Sequence, residues 1–389
     1  MIARRHRVAL AVTALLAAGA AGRAAVLLEQ PRHPAAGHPA PAATRPAAPA
    51  AGAFTLLASG GILPDGPVLE RAAFDADGSG HDFRPMLSGV AATVARAGLA
   101  LCHLDTAQSA DGTGGSPYTV PPELVPSLAA TGYDGCSTAS EHTLDDGADG
   151  VHRTLDALDR AGLRHAGSAR AESESRGALL NAGRARVAHL AYSDGSDRPV
   201  PAGQPWALRL IDADRVLADA RAARQAGADV VVVSLDWGDA WQDTPGPRQL
   251  DLARRLTAAR TGDRPAIDLI VGTRSHVPQP YEKVNGTWVI YGTGDQIADP
   301  AADAQAPPDP RAHLSTLARF TFAPPARPGG RWQVTRAEFV PEMFDVDAGR
   351  VVNVNEAVDQ GADLASVRDR ISDAVLGRGA AKDGLTMGR

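Results

Sequence analysis

Carboxylates and imidazoles recur just past the ends of apolar runs in this sequence. His103-Leu104-Asp105 closes one run, and Ser140-Glu141-His142 follows the next. Asp236-Trp237-Gly238 ends a valine-rich stretch, and Gly272-Thr273-Arg274-Ser275-His276 ends another. Ser59-Gly60-Gly61 and Gly292-Thr293-Gly294-Asp295 hold comparable places. Oxygen and nitrogen donors converging from separate strand ends suit a hard or borderline divalent cation. Asp also caps helices that follow strands, so spacing alone leaves open a metal site and a set of caps and salt bridges. His103, next to Cys102, reads equally as a core histidine, and Trp237 reads as packing at a sheet end. Asp145, Asp146 and Asp149 suit the start of a helix, and Asp65 suits a Pro-Asp-Gly turn, with a substitute-ligand role as its alternative. Gly60-Gly61 lacks the following Lys and Ser/Thr of a P-loop, which excludes one.

Strand ends require strands. Apolar runs at 54–59, 99–104, 132–139, 187–192, 228–235, 266–272 and 287–291 alternate with helical patterns at 85–97, 122–131, 151–161, 213–226 and 249–260. That alternation predicts an α/β fold with mostly parallel strands. The unbroken Val230, Val231, Val232 and Val233 read as a strand covered on both faces. Ligand sites in open α/β sheets form at the carboxyl ends of strands, where these donors lie. After Tyr291 the pattern changes: 313–322 and 331–340 predict an antiparallel pair, and 356–376 predicts a polar terminal helix.

The chain has 389 residues and a net charge of −6, which argues against nucleic acid as a partner. Its two cysteines exclude a disulfide framework and a four-cysteine zinc site. Cys102 and Cys136 either pair or remain buried thiols. Arg4, Arg5 and Arg7 precede an apolar stretch at 8–21, the pattern of an export leader, cleaved or retained as a membrane anchor. The organisation predicted is a leader or anchor at 1–29, a Pro/Ala-rich linker at 30–53, a main domain at 54–345 and a C-terminal extension at 346–389.

Taken in order, the segments from about 54 to 296 resemble the CapA family of capsule or poly-γ-glutamate synthesis proteins. Asp82-Phe83-Arg84-Pro85-Met86 looks like the family's Asp-Phe-x-Pro-Leu, and His103-Leu104-Asp105-Thr106 like its Asn-Leu-Glu-Thr. Ala139-Ser140-Glu141-His142 stands for Ala-Asn-Asn-His, Asp236-Trp237-Gly238 for His-Trp-Gly, and Gly272-Thr273-Arg274-Ser275-His276 for Gly-His-His-Pro-His. Gly292-Thr293-Gly294-Asp295 stands where the family ends a strand in Leu-Gly-Asn. The resemblance implies a calcineurin-like metallophosphatase-type layered sandwich, mostly parallel with an antiparallel C-terminal part.

The departures weaken the family's chemistry. Gly61 stands at a family Asp, and Thr273 and Arg274 replace paired histidines. Asp105, Glu141 and Asp236 replace Glu, Asn and His yet can still bind a cation, while His142 and His276 match the pattern. A two-metal clamp needs nearly its full ligand set. Two arrangements remain: the Arg274 guanidinium neutralises Asp105, Glu141 and Asp236 in place of a metal, with His103 beside it; or one divalent Mn, Zn or Mg is held by Glu141, Asp236 and His276, with His142 as acid. The implied function is synthesis, anchoring or processing of an anionic cell-surface polymer, with hydrolase chemistry weakened or lost. A phosphoesterase with substituted ligands and a non-catalytic polymer-binding or partner-binding module are the alternatives. The partners implied are that polymer or its synthesis machinery, and the membrane through the N-terminus of an exported protein.

Overall fold

Ten residues, Phe54–Leu63, form the first strand (β1), four longer than the apolar run predicts, because Gly60 and Gly61 continue it as extended backbone. The computed structural model describes residues 52–389 apart from 111–115, 300–308, 310 and 328. The expected leader at 1–29 and most of the expected linker at 30–53 therefore lie outside the described residues. The next strands are β2 (Leu99–Leu104), β3 (Gly135–Ser137), β4 (Arg164–Ala166), β5 (Ala178–Ala182), β6 (Ala185–Ser193), β7 (Val230–Asp236) and β8 (Leu269–Thr273). They are followed by β9 (Tyr281–Val284), β10 (Thr287–Ile290), β11 (Asp295–Ala298), β12 (Leu314–Ala323), β13 (Gln333–Asp345), β14 (Arg350–Asn353) and β15 (Leu385–Met387).

Two sheets result. The larger has the order β14-β13-β12-β1-β2-β3-β4, with β11 beside the end of β1 and β15 beside β13. Its β1 to β4 run parallel, while β12, β13 and β14 are antiparallel. The second sheet has the order β9-β10-β8-β7-β6-β5, with β6, β7, β8 and β10 parallel. The sheets meet face to face, as Trp288 against Phe320 and Tyr281 against Phe339 show at ring separations of 5.9 and 6.3 Å. Val230 and Val232 join the large core that spans both sheets, whereas Val231 and Val233 join a second core with Val216, Leu217 and Leu256. Alternate side chains of one strand thus face opposite layers, and the four valines are buried on both sides.

Helices cover the sheets. Val151, Thr154, Leu155 and Leu158 bury one face of α4 (Gly147–Ala161; α1 to α3 are Gly66–Asp75, Ser88–Ala95 and Leu124–Thr131), which stops at Gly162 in the left-handed conformation. The next two, α5 (Ala213–Gln225) and α6 (Pro247–Ala258), lie close to their predicted spans. The strand expected over 132–139 is shorter because Gly132 is the left-handed cap of α3. The terminal helix is two, α7 (Val354–Asp359) and α8 (Ala365–Leu376), separated at Gly361 with φ +96°. Residues of the C-terminal stretch also add β14 and β15 to the larger sheet. Among the described residues, no helix is long and apolar enough to cross a membrane.

Candidate functional site

Parallel register brings the predicted residues together. His103 in β2 pairs with Ser137 in β3, and the His103 Nδ1 lies 2.7 Å from the Ser137 hydroxyl. One residue earlier, Cys102 and Cys136 face each other with Cα atoms 4.4 Å apart and form a disulfide. The cysteines are therefore paired, and the bond fixes the two strands where they deliver His103 and Ser137. Asp236 ends β7 between Ser193 of β6 and Thr273 of β8. The Ser193 hydroxyl donates to Asp236 Oδ2 at 2.7 Å, and the Thr273 hydroxyl to Oδ1 at 3.4 Å.

Arg274 and His276 follow β8 with left-handed φ angles of +75° and +57°, conformations that are uncommon outside glycine. The turn aims both side chains at Glu141. Arg274 Nη2 lies 2.8 Å from Glu141 Oε2, and Nη1 donates to Asp236 Oδ2 at 3.3 Å. His276 Nε2 stands 3.4 Å from Glu141 Oε1, and its Nδ1 is 2.9 Å from Asp295 Oδ2. His103 Nε2 lies 3.6 Å from Asp236 and 4.0 Å from Asp105. His142 Nδ1 bonds to Asp145 at 3.1 Å, which leaves Nε2 4.0 Å from Glu141. Asp105, Glu141, His142, Asp236, Arg274, His276 and His103 thus share one buried cleft.

Several contributors were not foreseen as such. Asp295, a strand-end donor outside the expected ligand set, grips His276. Asp145 does not cap α4; it holds His142 and accepts from Ser116 at 2.6 Å. Tyr118 lies over His142 at a ring separation of 4.0 Å, and Trp241 over His276 at 4.9 Å. These aromatics wall a cavity of about 180 Å³ lined also by Glu141 and Asp295. Trp237 is a packing residue, buried and donating to the Tyr291 carbonyl at 2.8 Å. Asp65 sits just before α1, buried near Asp299, and belongs to none of the candidate ligand groups among the described residues.

Burial and pairing compete throughout the cleft. Burial drives the Asp105 carboxyl up to about 6, although His103 and His142 oppose the shift. Burial also works against the charged forms of Glu141 and Asp236, yet His276 and Arg274 around Glu141, and His103 and Arg274 around Asp236, hold both carboxyls below their usual range. For the imidazoles burial pulls down and carboxylates pull up harder. His103 and His276 rise, and His142, held mainly by Asp145, reaches about 9.

The donor set fits a divalent ion. Asp105 Oδ1 and His103 Nε2 are buried without a hydrogen-bond partner, which is costly unless something else satisfies them. One ligand atom each from Asp105, His276 and Asp295 lies within 4.8 Å of the others, as does one each from His103, Asp105 and Asp236. Glu141, expected as a ligand, belongs to neither group and is engaged by Arg274.

Comparison with known proteins sets this cleft in context. Residues 55–300 match the family described as bacterial capsule synthesis protein PGA_cap. The chain is 31% identical over 220 residues to the "Probable polyglutamine synthesis accessory protein" of Mycobacterium tuberculosis, covering 52% of this chain and 56% of that one. It is 27% identical over 183 residues to the "Capsule biosynthesis protein CapA" of Bacillus anthracis, covering 46% and 43% of the two chains. The chain thus spans about half the length of the curated relatives it matches. Among solved structures it is similar to the calcineurin-like phosphoesterase YfkN of Bacillus subtilis, with 12% identity, a TM-score of 0.44 and coverage of 82% and 97%.

Proposed function

This chain belongs to the bacterial capsule synthesis family PGA_cap, and from that premise we propose that it is an exported protein that handles an anionic cell-surface polymer through the cleft just described. Its hydrolase chemistry is reduced. The observation that carries this reading is Arg274, whose guanidinium ties Glu141 to Asp236 in the centre of the cleft. A guanidinium cannot ligate a metal, because it stays protonated, and it occupies two of the carboxylates that a second cation would need. The reading is therefore one fixed positive charge with room for one divalent Mn, Zn or Mg ion. A bound ion would polarise a carbonyl or phosphoryl oxygen, held by Asp105 and His276.

The chain's own residues act around that position. Arg274 supplies the cleft's fixed positive charge for an anionic group of the polymer, since charge-assisted contacts to guanidinium are strong and directional. His142, oriented by Asp145 and in ring contact with Tyr118, faces the cavity as the proton donor to a leaving group. Tyr118 and Trp241 form walls that exclude water. The Cys102–Cys136 disulfide supports export, because such bonds persist mainly in oxidising compartments. The basic, apolar leader at 1–29 supports attachment to or passage through the membrane.

Two measurements on the full chain test this. Polymer binding, read by calorimetry with poly-γ-glutamate, is expected for the wild type and lost in Arg274→Ala. A phosphatase and phosphodiesterase screen with added manganese, zinc or magnesium is expected to give weak turnover at most. Robust turnover abolished by Asp236→Ala would overturn the reduced-chemistry reading in favour of a metal-dependent phosphoesterase.

A further inference from the structure

The geometry points to Asp295 as the third ligand of a single-cation site with Asp105 and His276, admitted to the cleft by the missing side chain of Gly61. This inference rests on the one-cation reading above.

Strands β1 and β11 run parallel with Gly61 opposite Asp295. A Cβ built on Gly61 would lie 2.4 Å from Asp295 Oδ1, closer than real Cβ contacts come. The carboxylate therefore occupies the volume that any side chain at position 61 would need. Gly60 serves the same approach differently: its Cβ would meet the Gly294 carbonyl oxygen at 2.2 Å, and that oxygen accepts the Gly61 N–H at 3.0 Å. Both glycines let the two strands close, and the closure carries a carboxylate from β11 into the cleft.

The two oxygens of Asp295 have separate surroundings. Oδ2 is 2.9 Å from His276 Nδ1, whereas Oδ1 lies on the Gly61 side. Asp105, only 1% exposed, keeps its Oδ1 without a hydrogen-bond partner. Arg274 engages Glu141 and Asp236. One ligand atom each from Asp105, His276 and Asp295 lies within 4.8 Å of the others. Two carboxylates and one imidazole suit zinc or manganese.

The test titrates chelator-stripped full-length protein with Zn²⁺ or Mn²⁺ alone by calorimetry, with melting curves in the absence of metal to confirm folding. The wild type is expected to take one equivalent. Asp295→Asn, Asp295→Ala and Gly61→Ala should each bind at least about tenfold more weakly, the scale typical of lost metal-site groups. Asp295→Gly combined with Gly61→Asp, which moves the carboxylate to β1, should restore most of the affinity. Wild-type affinity in Asp295→Asn, which keeps an acceptor for His276, would make Asp295 only a positioning residue and overturn the inference while sparing the one-cation reading. A double variant as weak as Asp295→Ala would overturn the exchange of places between residues 61 and 295. Absence of metal binding by the wild type would overturn the one-cation reading itself, and the inference with it.

Discussion

Asp295 and Gln296 are consecutive residues of β11, and they face two different buried polar regions. Asp295 enters the cleft, where Arg274 and imidazoles hold the Glu141 and Asp236 carboxyls below their usual range. Gln296 turns the other way, accepts from the Tyr133 hydroxyl at 2.7 Å and donates to Glu342 at 3.0 Å. Glu342 is fully buried with no cation in its described ion pairs, and burial raises its carboxyl to about 8 despite the bond from Gln296. One strand thus shows both ways to bury a carboxylate: pair it with a positive group, or leave it a proton. The cleft uses the first, which keeps charge available for binding. The core beneath β12 and β13 uses the second, which keeps the carboxyl uncharged in the folded protein at acidic and neutral pH.

The largest effect should come from breaking the charge pairing. Arg274→Ala leaves Glu141 and Asp236 facing each other without their shared guanidinium, and Asp236 is almost completely buried. Removing one partner of a buried pair costs about 3–5 kcal/mol. Urea denaturation near pH 7 measures it. A loss below about 1 kcal/mol, with no new metal affinity, would mean that the arginine neutralises nothing and that the contrast with Glu342 is empty.

The second prediction acts on the protonated side of the comparison. An unfolded glutamate titrates near 4.5, whereas folded Glu342 holds its proton up to about 8. Its contribution to stability is therefore complete below about pH 4.5 and is lost progressively as pH rises through 8. Glu342→Gln, which cannot ionise, should match the wild type at pH 4 and exceed it at pH 9 by about 2–3 kcal/mol, a cautious share of the full shift. Denaturation curves at the two pH values decide. An equal difference at both would show that Glu342 acts by packing rather than by its proton.

The sequence made the cleft largely legible and the Glu342 region not at all. Asp105, Glu141, Asp236 and Arg274 lie at strand ends, and a strand end is a local pattern: an apolar run stops and a polar residue follows. In a mostly parallel sheet those ends converge, so local reading together with the family resemblance was enough to assemble seven residues. Asp295 and Ser193 required knowledge of which distant strands are neighbours and in what register. The absence of a side chain at Gly61 was visible; that another strand's carboxylate fills its place was not. Glu342 sits in a strand of mixed polarity, and nothing local marks it as buried. Helix α1 was missed for a similar reason, since only Val68 and Ala72 of its ten residues are buried. The split at Gly361 was there to be read in a single glycine within a polar stretch.

The smallest effect concerns backbone rather than charge, and it separates the two regions again. Trp241, Arg274 and His276 are three of the five non-glycine residues with left-handed φ among those described, and all three meet at the cleft. Trp241 has φ +63°, its N–H donates to the Ser275 carbonyl at 2.9 Å, and Arg311 donates to the Trp241 carbonyl at 2.9 Å. These bonds hold the unfavourable conformation so that the indole covers His276. Trp241→Ala should lose the ring contact and keep the backbone cost, whereas Trp241→Gly loses the same contact and relieves the cost. The glycine variant should therefore be more stable than the alanine variant by about 1 kcal/mol, the scale of the left-handed penalty. Alanine more stable than glycine in paired melting curves would mean that the bond network relaxes when the ring is gone. The strain would then belong to the tryptophan's fit against His276 rather than to the loop that carries it.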